Sequence, residues 1–168
     1  MHLPKGHGIL RILKAEQIVE DPDLATCRGL PEFWDILGSS AAIESILFRH
    51  ARQPKENHPA LLVGPEMDQA KLKNAQTSYA KTKPNEKILG MNDSTVFGSA
   101  KDGACFTDRS ICWKELWSEP NRIEYSCIRE LNIKDDILWI NGKAFKEAIG
   151  LEWTRSVLEE IVYVVNAG

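Results

Sequence analysis

The stretch "STVFGSAKDGACFTDRSICWK", Ser94–Lys114, decides how this chain is expected to fold. Two short segments in it, "ACFT" and "ICWK", stand on either side of Asp108-Arg109, and each alternates in character. Alternation on both sides of a two-residue break is typical of a β-hairpin. Gly98 and Gly103 precede the hairpin and supply the permissive backbone that a loop before a strand requires. The stretch therefore predicts an antiparallel sheet.

The same pattern extends in both directions from this hairpin. A short apolar segment, "KILGM", comes before it, and "RIEYSCI", "ELNI", "ILWI" and "KAFKEAI" follow it. Asn141-Gly142 separates the last two segments, and this dipeptide favours a tight hairpin because both residues accept a positive φ. From Glu86 onward the sequence predicts about seven short strands joined by tight turns, as in an antiparallel barrel or sandwich.

The last segment of the chain, "LEWTRSVLEEIVYVVNAG", has a different period. Its apolar residues Trp153, Val157, Ile161 and Val164 recur at helical spacing. A stripe of this kind predicts a helix that buries one face. We expect this C-terminal helix to cover the sheet with these four side chains.

The first 85 residues are predicted to be helical and rich in loops. Pro31 is well placed to open a helix through "PEFWDIL", and Ser39 or Ser40 to cap the next helix. The segment "RQPKENHPALLVGPEMD" contains three Pro residues and is interpreted as a connector. "MDQAKLKNAQTSYAK" predicts a further helix, which Pro84 ends.

Three motifs carry a resemblance to a known family: "KLKNAQTSYA", then "EKILGMNDSTVFGSAKDGACFTDRSICWK", and "ING" ahead of a final strand and helix. On these motifs, residues 71–168 resemble bacterial pleckstrin-homology-like (PH-like) domain proteins. The resemblance implies an α+β fold, a PH-like antiparallel split β-barrel of about seven strands capped by a C-terminal helix. Residues 1–70 lie outside it as a helical N-terminal extension. It also implies an interaction or lipid-associated module and not an enzyme.

Charge and hydropathy bear on the choice of partner. Residues 86–168 carry 10 basic and 14 acidic side chains, a balance unsuited to nucleic acid or to an anionic membrane surface. No apolar run approaches the roughly 20 residues of a membrane span, so we expect no integral membrane association. Lys5, Arg11 and Lys14 interrupt the N-terminal segment, which lacks the apolar core of a signal peptide. The sequence predicts a cytoplasmic protein whose four Cys are reduced and free of metal.

The segment "GSAKDGACFTDRS" invites comparison with a phosphate-binding loop, but it lacks the required spacing of Gly, Lys and Ser or Thr. Cys105 and Cys112 face each other across the predicted hairpin, as a redox pair or half of a zinc site would. Zinc needs four ligands, and the chain has no His beyond His58. The sequence favours a structural role for both Cys and predicts neither a metal nor a cofactor.

Trp117, in "KELWSEP", is the strongest candidate for a contact residue, because an exposed aromatic side chain at a strand end marks a binding surface. Lys101, Asp102 and Tyr125 are further candidates for contact with a ligand or partner. The favoured function is a non-enzymatic binding module for a protein segment or a small apolar ligand.

Two alternatives stay open. The first is a metal- or thiol-dependent enzyme or redox protein that uses Cys105, Cys112 and His50. The second is a structural subunit that forms a homodimer through residues 1–70.

Overall fold

The structure is a computed structural model that describes residues 39–52, 61–146 and 150–167. Three helices lie in these ranges: α1 (Ser39–Ala51), α2 (Gln69–Ala75) and α3 (Leu151–Ala167). The α2 helix continues into one π-helical turn, Gln76–Ala80, so the helix predicted in this region is confirmed. The helix predicted from Pro31 lies outside the described residues.

The larger sheet has five strands in the order β1-β2-β3-β4-β5, and every neighbouring pair is antiparallel. Its strands are β1 (Leu62–Val63), β2 (Ile88–Asp93), β3 (Gly103–Thr107), β4 (Ser110–Lys114) and β5 (Asn121–Glu124). The smaller sheet is an antiparallel meander. Its strands are β6 (Leu131–Lys134), β7 (Ile137–Ile140) and β8 (Lys143–Phe145).

Both predicted hairpins are confirmed. Asp108-Arg109 joins β3 to β4, where Cys105 lies opposite Cys112. Asn141-Gly142 joins β7 to β8, and both residues of this turn have a positive φ. Turn chemistry together with alternation is therefore sufficient to locate these two hairpin turns.

Two predictions about individual segments are wrong. The segment around Tyr125 does not continue as a strand, because β5 ends at Glu124 and a 3-10 turn follows at Tyr125–Cys127. The segment interpreted as a connector contributes β1, which pairs with β2 through Leu62 and Val63. Only two residues of that segment pair, and a run so short leaves no periodic signal in the sequence.

The five-stranded sheet separates two apolar clusters. The larger cluster joins α1, α3 and both sheets, and Trp113 and Phe145 meet edge to face within it. The smaller cluster lies beneath α2 and includes Tyr79, Met91 and the two cysteines of the hairpin. The α1 helix and strand β1 therefore share a core with the residues that follow position 70.

The C-terminal helix is present as predicted, and it packs against α1, β6, β7 and the turn at Tyr125–Cys127. Three of its four predicted core residues, Val157, Ile161 and Val164, are buried. Trp153 is only half-buried, at the margin of the same cluster. The overall class is α+β, with two antiparallel sheets and a C-terminal helix, and the sheets form no closed barrel in the described ranges.

Candidate functional site

Two loops emerge side by side at one end of the five-stranded sheet. Loop A, residues 94–102, joins β2 to β3, and loop B, residues 115–120, joins β4 to β5. Gly103, the first residue of β3, pairs with Lys114, the last residue of β4, so the end of loop A lies beside the start of loop B. The antiparallel register thus brings together two segments that are separate in sequence.

Large apolar side chains on these loops are exposed to solvent. Val96 is 92% exposed and Phe97 is 95% exposed on loop A, while Leu116 is 67% exposed and Trp117 is 93% exposed on loop B. Single exposed apolar residues are common, but several at one end of a domain make a candidate interaction surface. We call these four residues the docking surface.

A buried carboxylate holds loop A in a defined conformation. Asp93 Oδ1 accepts hydrogen bonds from the amide of Thr95 at 3.0 Å, its hydroxyl at 2.5 Å and the amide of Ala100 at 3.1 Å. Lys71 Nζ contacts Asp93 Oδ2 at 2.9 Å. Burial tends to raise the pKa of Asp93, but these hydrogen bonds and the lysine outweigh it and lower the pKa below its usual value. The apolar tip is thus carried by a well-anchored turn.

The helix beside loop A adds two further anchors. Asn74 Nδ2 donates to the carbonyl of Ser99 at 2.9 Å, and Ser78 Oγ donates to the carbonyl of Lys101 at 2.6 Å. Hydrogen bonds from a helix to a loop reduce the number of conformations open to the loop. Val96 and Phe97 therefore point into solvent from a fixed base.

Loop B presents its tryptophan in an unfavourable backbone conformation. Trp117 has φ 66°, the left-handed region that bulky side chains rarely adopt. Ser118 closes the turn, since its amide donates to the carbonyl of Glu115 at 3.0 Å and its hydroxyl accepts from the amide of Glu115 at 3.0 Å. Such a backbone costs about 1–3 kcal/mol and persists only where the surroundings impose it. The turn thus holds the side chain of Trp117 in solvent although its backbone conformation is unfavourable.

A cleft of about 600 Å³ lies between the two loops. Val96, Phe97 and Leu116 supply its apolar lining, and Lys101 and Lys146 stand at its exposed rim. The remaining lining residues are polar: Ser94, Thr95, Ser99, Asp102 and Glu115. The site therefore combines protruding apolar side chains with a shallow recess beside them.

The structure brings three of the predicted contact residues to this end of the sheet and places the fourth elsewhere. Trp117 and Lys101 are exposed, and Asp102 forms an ion pair of 2.5 Å with Lys114 at the cleft. Tyr125 is fully buried, its hydroxyl donates to the carbonyl of Thr107 at 3.1 Å, and burial raises its pKa. Tyr125 therefore belongs to the core and not to the docking surface.

The residues of the thiol hypothesis do not form one site. Cys105 and Cys112 are opposite each other beneath α2. His50 lies on α1, where its Nε2 is 2.9 Å from Glu160 Oε1 and its ring meets Trp153 edge to face. The pair and the histidine therefore belong to different clusters.

A buried polar network surrounds Glu86, close to the cysteine pair. Its carboxylate accepts hydrogen bonds from the hydroxyl of Thr107 at 2.6 Å, the hydroxyl of Ser110 at 2.9 Å and the amide of Lys83 at 2.8 Å. Arg122 Nη2 contacts both of its oxygens, at 2.8 and 2.9 Å. Burial tends to raise the pKa of Glu86, yet these partners together lower it from 4.5 to about 2. The network holds a permanent negative charge at neutral pH.

The described residues were also compared with the requirements of a metal site and of a membrane span. Within the described ranges, no group of three or more His, Cys, Asp or Glu side chains is arranged to hold a metal ion. None of the described helices is both long and apolar enough to cross a membrane. In comparisons with family models, curated proteins and solved structures, no match to this chain was found.

Proposed function

We propose that this protein is a non-enzymatic binding module whose docking surface receives an apolar segment of a partner protein or an apolar ligand. The observation that carries the proposal is the exposure of Val96, Phe97, Leu116 and Trp117 on two anchored loops. Aromatic side chains that insert into a partner dominate the affinity of many protein interfaces. Because the loops are already fixed, little conformational entropy is lost when the partner binds.

The finer fold that fits this role is a PH-like split β-barrel. Seven strands, β2 to β8, run from Ile88 to Phe145, and α3 follows them. This order supports the proposal, while the docking surface supports a binding role by itself, without the family resemblance. Fold analogy alone is a weak argument for function, so the loops carry the greater weight.

A protein segment is the partner that the shape of the site favours. Val96, Phe97 and Trp117 protrude, so they fit an apolar recess on a partner. The cleft beside them offers room for an apolar side chain of that partner, and Lys101 and Lys146 at its rim suit a neighbouring carboxylate. We place this interaction in the bacterial cytoplasm, where thiols are reduced unless an oxidant acts on them.

The alternative functions keep less support. A metal- or thiol-dependent enzyme that uses His50 together with Cys105 and Cys112 would need groups that the structure holds in separate clusters. A structural subunit that dimerises through residues 1–70 depends largely on residues outside the described ranges. Neither alternative explains why two apolar loops are held in solvent.

Peptide display against the immobilised full chain tests the proposal. We expect selection to enrich apolar, aromatic-rich peptides, and the double variant Phe97→Ser/Trp117→Ser to bind the selected peptides at least tenfold more weakly. A tenfold loss corresponds to about 1.4 kcal/mol, which is ordinary for removal of an interface aromatic. In parallel, titration with the apolar dye 1-anilinonaphthalene-8-sulfonate tests whether the same surface accepts a small ligand.

The matched control is Tyr163→Ser, which removes an exposed aromatic side chain from α3, away from the loops. This variant should bind peptides and dye as the parent does. All three proteins should have the same thermal midpoint, because exposed side chains are removed in each variant. Equal peptide binding by the parent and the loop variant would show that the docking surface is not the binding site.

A further inference from the structure

Two thiols stand directly opposite each other inside the protein. Cys105 on β3 and Cys112 on β4 are paired in the antiparallel register, and both are fully buried. Opposed residues in an antiparallel pair have Cα atoms about 4.5 or 5.5 Å apart. A disulfide spans Cα separations of about 4.4–6.8 Å, so the backbone need not rearrange to join the two sulfurs.

The surroundings of the two thiols are unequal. Cys112 Sγ lies 3.8 Å from Arg122 Nη1 and 3.6 Å from Ser110 Oγ, and it donates to the carbonyl of Ala80 at 3.7 Å. Glu86 fixes the guanidinium of Arg122 through contacts to both carboxylate oxygens. The cation and the hydroxyl favour the thiolate of Cys112, whereas the charge of Glu86 and the bond to the Ala80 carbonyl favour its thiol.

Because their surroundings differ, the two thiols have different pKa values. A hydrogen bond from Cys105 is the largest cause that lowers the pKa of Cys112. A hydrogen bond from Ser110 and the charge of Arg122 lower it further, and together these outweigh the effect of burial. The same hydrogen bond to Cys112, together with burial, raises the pKa of Cys105. Cys112 is therefore the more acidic sulfur of the pair.

We propose that Cys105 and Cys112 are a modification site that a peroxide oxidises to a reversible intrachain disulfide, with Cys112 as the attacking sulfur and Cys105 as the resolving sulfur. The proposal is independent of the docking surface. Two observations support it: the register sets the two sulfurs opposite each other, and the guanidinium that Glu86 holds lies beside only one of them.

Two steps complete the reaction with hydrogen peroxide as the oxidant. The Cys112 thiolate attacks one peroxide oxygen, the O–O bond breaks, and the leaving hydroxide takes up a proton to become water. Cys112 then carries a sulfenic acid. Cys105 attacks this sulfur, the S–O bond breaks, and the hydroxide leaves as water with the Cys105 proton. The two thiols lose two electrons and two protons in total, and one peroxide is reduced to two waters.

Both sulfurs are fully buried, so a small oxidant reaches them only through a local opening of the fold. A cleft of about 420 Å³ between α2 and the start of β2 is lined by Gln76, Thr82 and Glu86. Glu86 separates this cleft from Arg122 and Ser110, which contact Cys112. Peroxide is small enough to reach Cys112 by a local opening around Glu86, in contrast to a protein or glutathione oxidant.

Tryptic mapping tests the proposal on the folded full chain, because trypsin places every cysteine in a different peptide. Cleavage at Lys101, Arg109 and Lys114 puts Cys105 in residues 102–109 and Cys112 in residues 110–114. Cys27 and Cys127 fall in residues 15–28 and 123–129. Reduced protein is treated with one equivalent of hydrogen peroxide, free thiols are alkylated, and the digest is analysed without reductant.

We expect peptides 102–109 and 110–114 to appear as one disulfide-linked species that dithiothreitol separates. In the variant Cys105→Ala, we expect a sulfenic acid on peptide 110–114, trapped by dimedone, while Cys112→Ala should leave Cys105 unmodified. Cys127→Ser, which removes an exposed thiol, should react as the parent does. The parent measurement needs no substitution, so it decides the matter even if a variant fails to fold.

Two results would overturn the proposal. If both peptides remain fully alkylated after peroxide treatment, the pair is inert. If the cross-link joins Cys27 or Cys127 instead, the reactive thiols lie elsewhere. The same treatment in urea supplies the reference, since the unfolded chain should give mixed pairings.

Discussion

At the scale of single residues, Glu86 is the charged centre of a buried hydrogen-bond network. Four donor groups make five contacts with its carboxylate: the hydroxyls of Thr107 and Ser110, the amide of Lys83, and Arg122 Nη2, which contacts both oxygens. A buried ion pair adds little net stability over a well-packed apolar pair, but removal of one partner leaves a buried charge uncompensated. Removal of Glu86 should therefore lower the free energy of unfolding by more than the intact ion pair contributes to it.

We expect Glu86→Gln to lower the free energy of unfolding at pH 7 by about 3 kcal/mol, because Arg122 loses its carboxylate. Chemical denaturation measures this loss. The control is Glu124→Gln, which removes an exposed carboxylate that Lys83 contacts at 2.5 Å, and it should leave the midpoint unchanged. Equal midpoints for Glu86→Gln and the parent would show that the buried network does not stabilise the fold.

The same residue predicts a pH dependence. Its folded-state pKa, about 2, is below the ordinary value of 4.5, so the charged form is favoured in the folded protein. The stability it contributes is complete above pH 4.5 and is lost as the pH falls toward 2. Glu86→Gln should therefore be closest to the parent in stability near pH 2 and furthest from it at neutral pH. A stability difference that does not change with pH would contradict the lowered pKa.

At the scale of elements, the glycine at the start of β3 fixes how loop A returns to the sheet. Gly103 has φ +139°, and a Cβ built there would lie 2.2 Å from the carbonyl oxygen of Asn92. Gly142 also has a positive φ, +76°, but a Cβ there meets no atom within 4 Å. A side chain would therefore meet both backbone strain and steric overlap at Gly103, but only backbone strain at Gly142.

We expect Gly103→Ala to lower the free energy of unfolding by more than about 3 kcal/mol, since it adds overlap with the neighbouring strand to the strain of a positive φ. Gly142→Ala should cost only about 1 kcal/mol, from strain alone. Thermal or chemical denaturation of the two variants measures the difference. Equal losses in the two variants would mean that the backbone near Gly103 shifts to make room for the methyl group at no cost in stability.

The elements of this fold are predictable from the sequence to the extent that local chemistry determines them. Asn141-Gly142 and Asp108-Arg109 are local signals, and both turns form as predicted. β1 and the turn after Glu124 depend on which residues lie alongside them in space, and no local pattern encodes that. Long-range pairing overrides the alternation of "RIEYSCI", because Tyr125 turns inward to bond with Thr107.

The docking surface was predictable only in part, for a related reason. Pro120 and the end of a strand near Trp117 indicate a turn, which makes exposure of the tryptophan plausible. Val96 and Phe97 carry no such signal, since apolar residues between two strands are usually buried. Their exposure follows from the bonds that Asp93 and Asn74 make to loop A, and those bonds exist only in the folded chain.

At the scale of the whole molecule, α3 connects parts that are distant in sequence. It packs on α1, which contacts β1 and β2 of the larger sheet, and on β6 and β7 of the smaller sheet. Arg49 and His50 of α1 also contact Glu160 of α3. Because one helix contacts both the smaller sheet and the helix that covers the larger one, we expect the described domain to unfold as a single unit.

The variant Ile161→Ala tests this expectation. Ile161 is fully buried on α3, so the substitution should lower the free energy of unfolding by about 3 kcal/mol. Hydrogen exchange should show faster amide exchange in both sheets, and by the same factor. Tyr163→Ala, on the exposed side of the helix, should change neither. Faster exchange confined to the smaller sheet would mean that the two sheets unfold separately.

The two edge strands of the five-stranded sheet affect whether copies of the protein can pair edge to edge. An open sheet has two unpaired borders that invite strands of other molecules. One border here is β1, which offers only two residues, and the other is β5, a strand of four residues where the carboxylate of Glu124 is exposed and pairs with Lys83. Short borders and charged borders are both devices against fibrillar growth. Within the described ranges, the larger sheet thus has exposed apolar side chains at one end and borders that resist polymerisation.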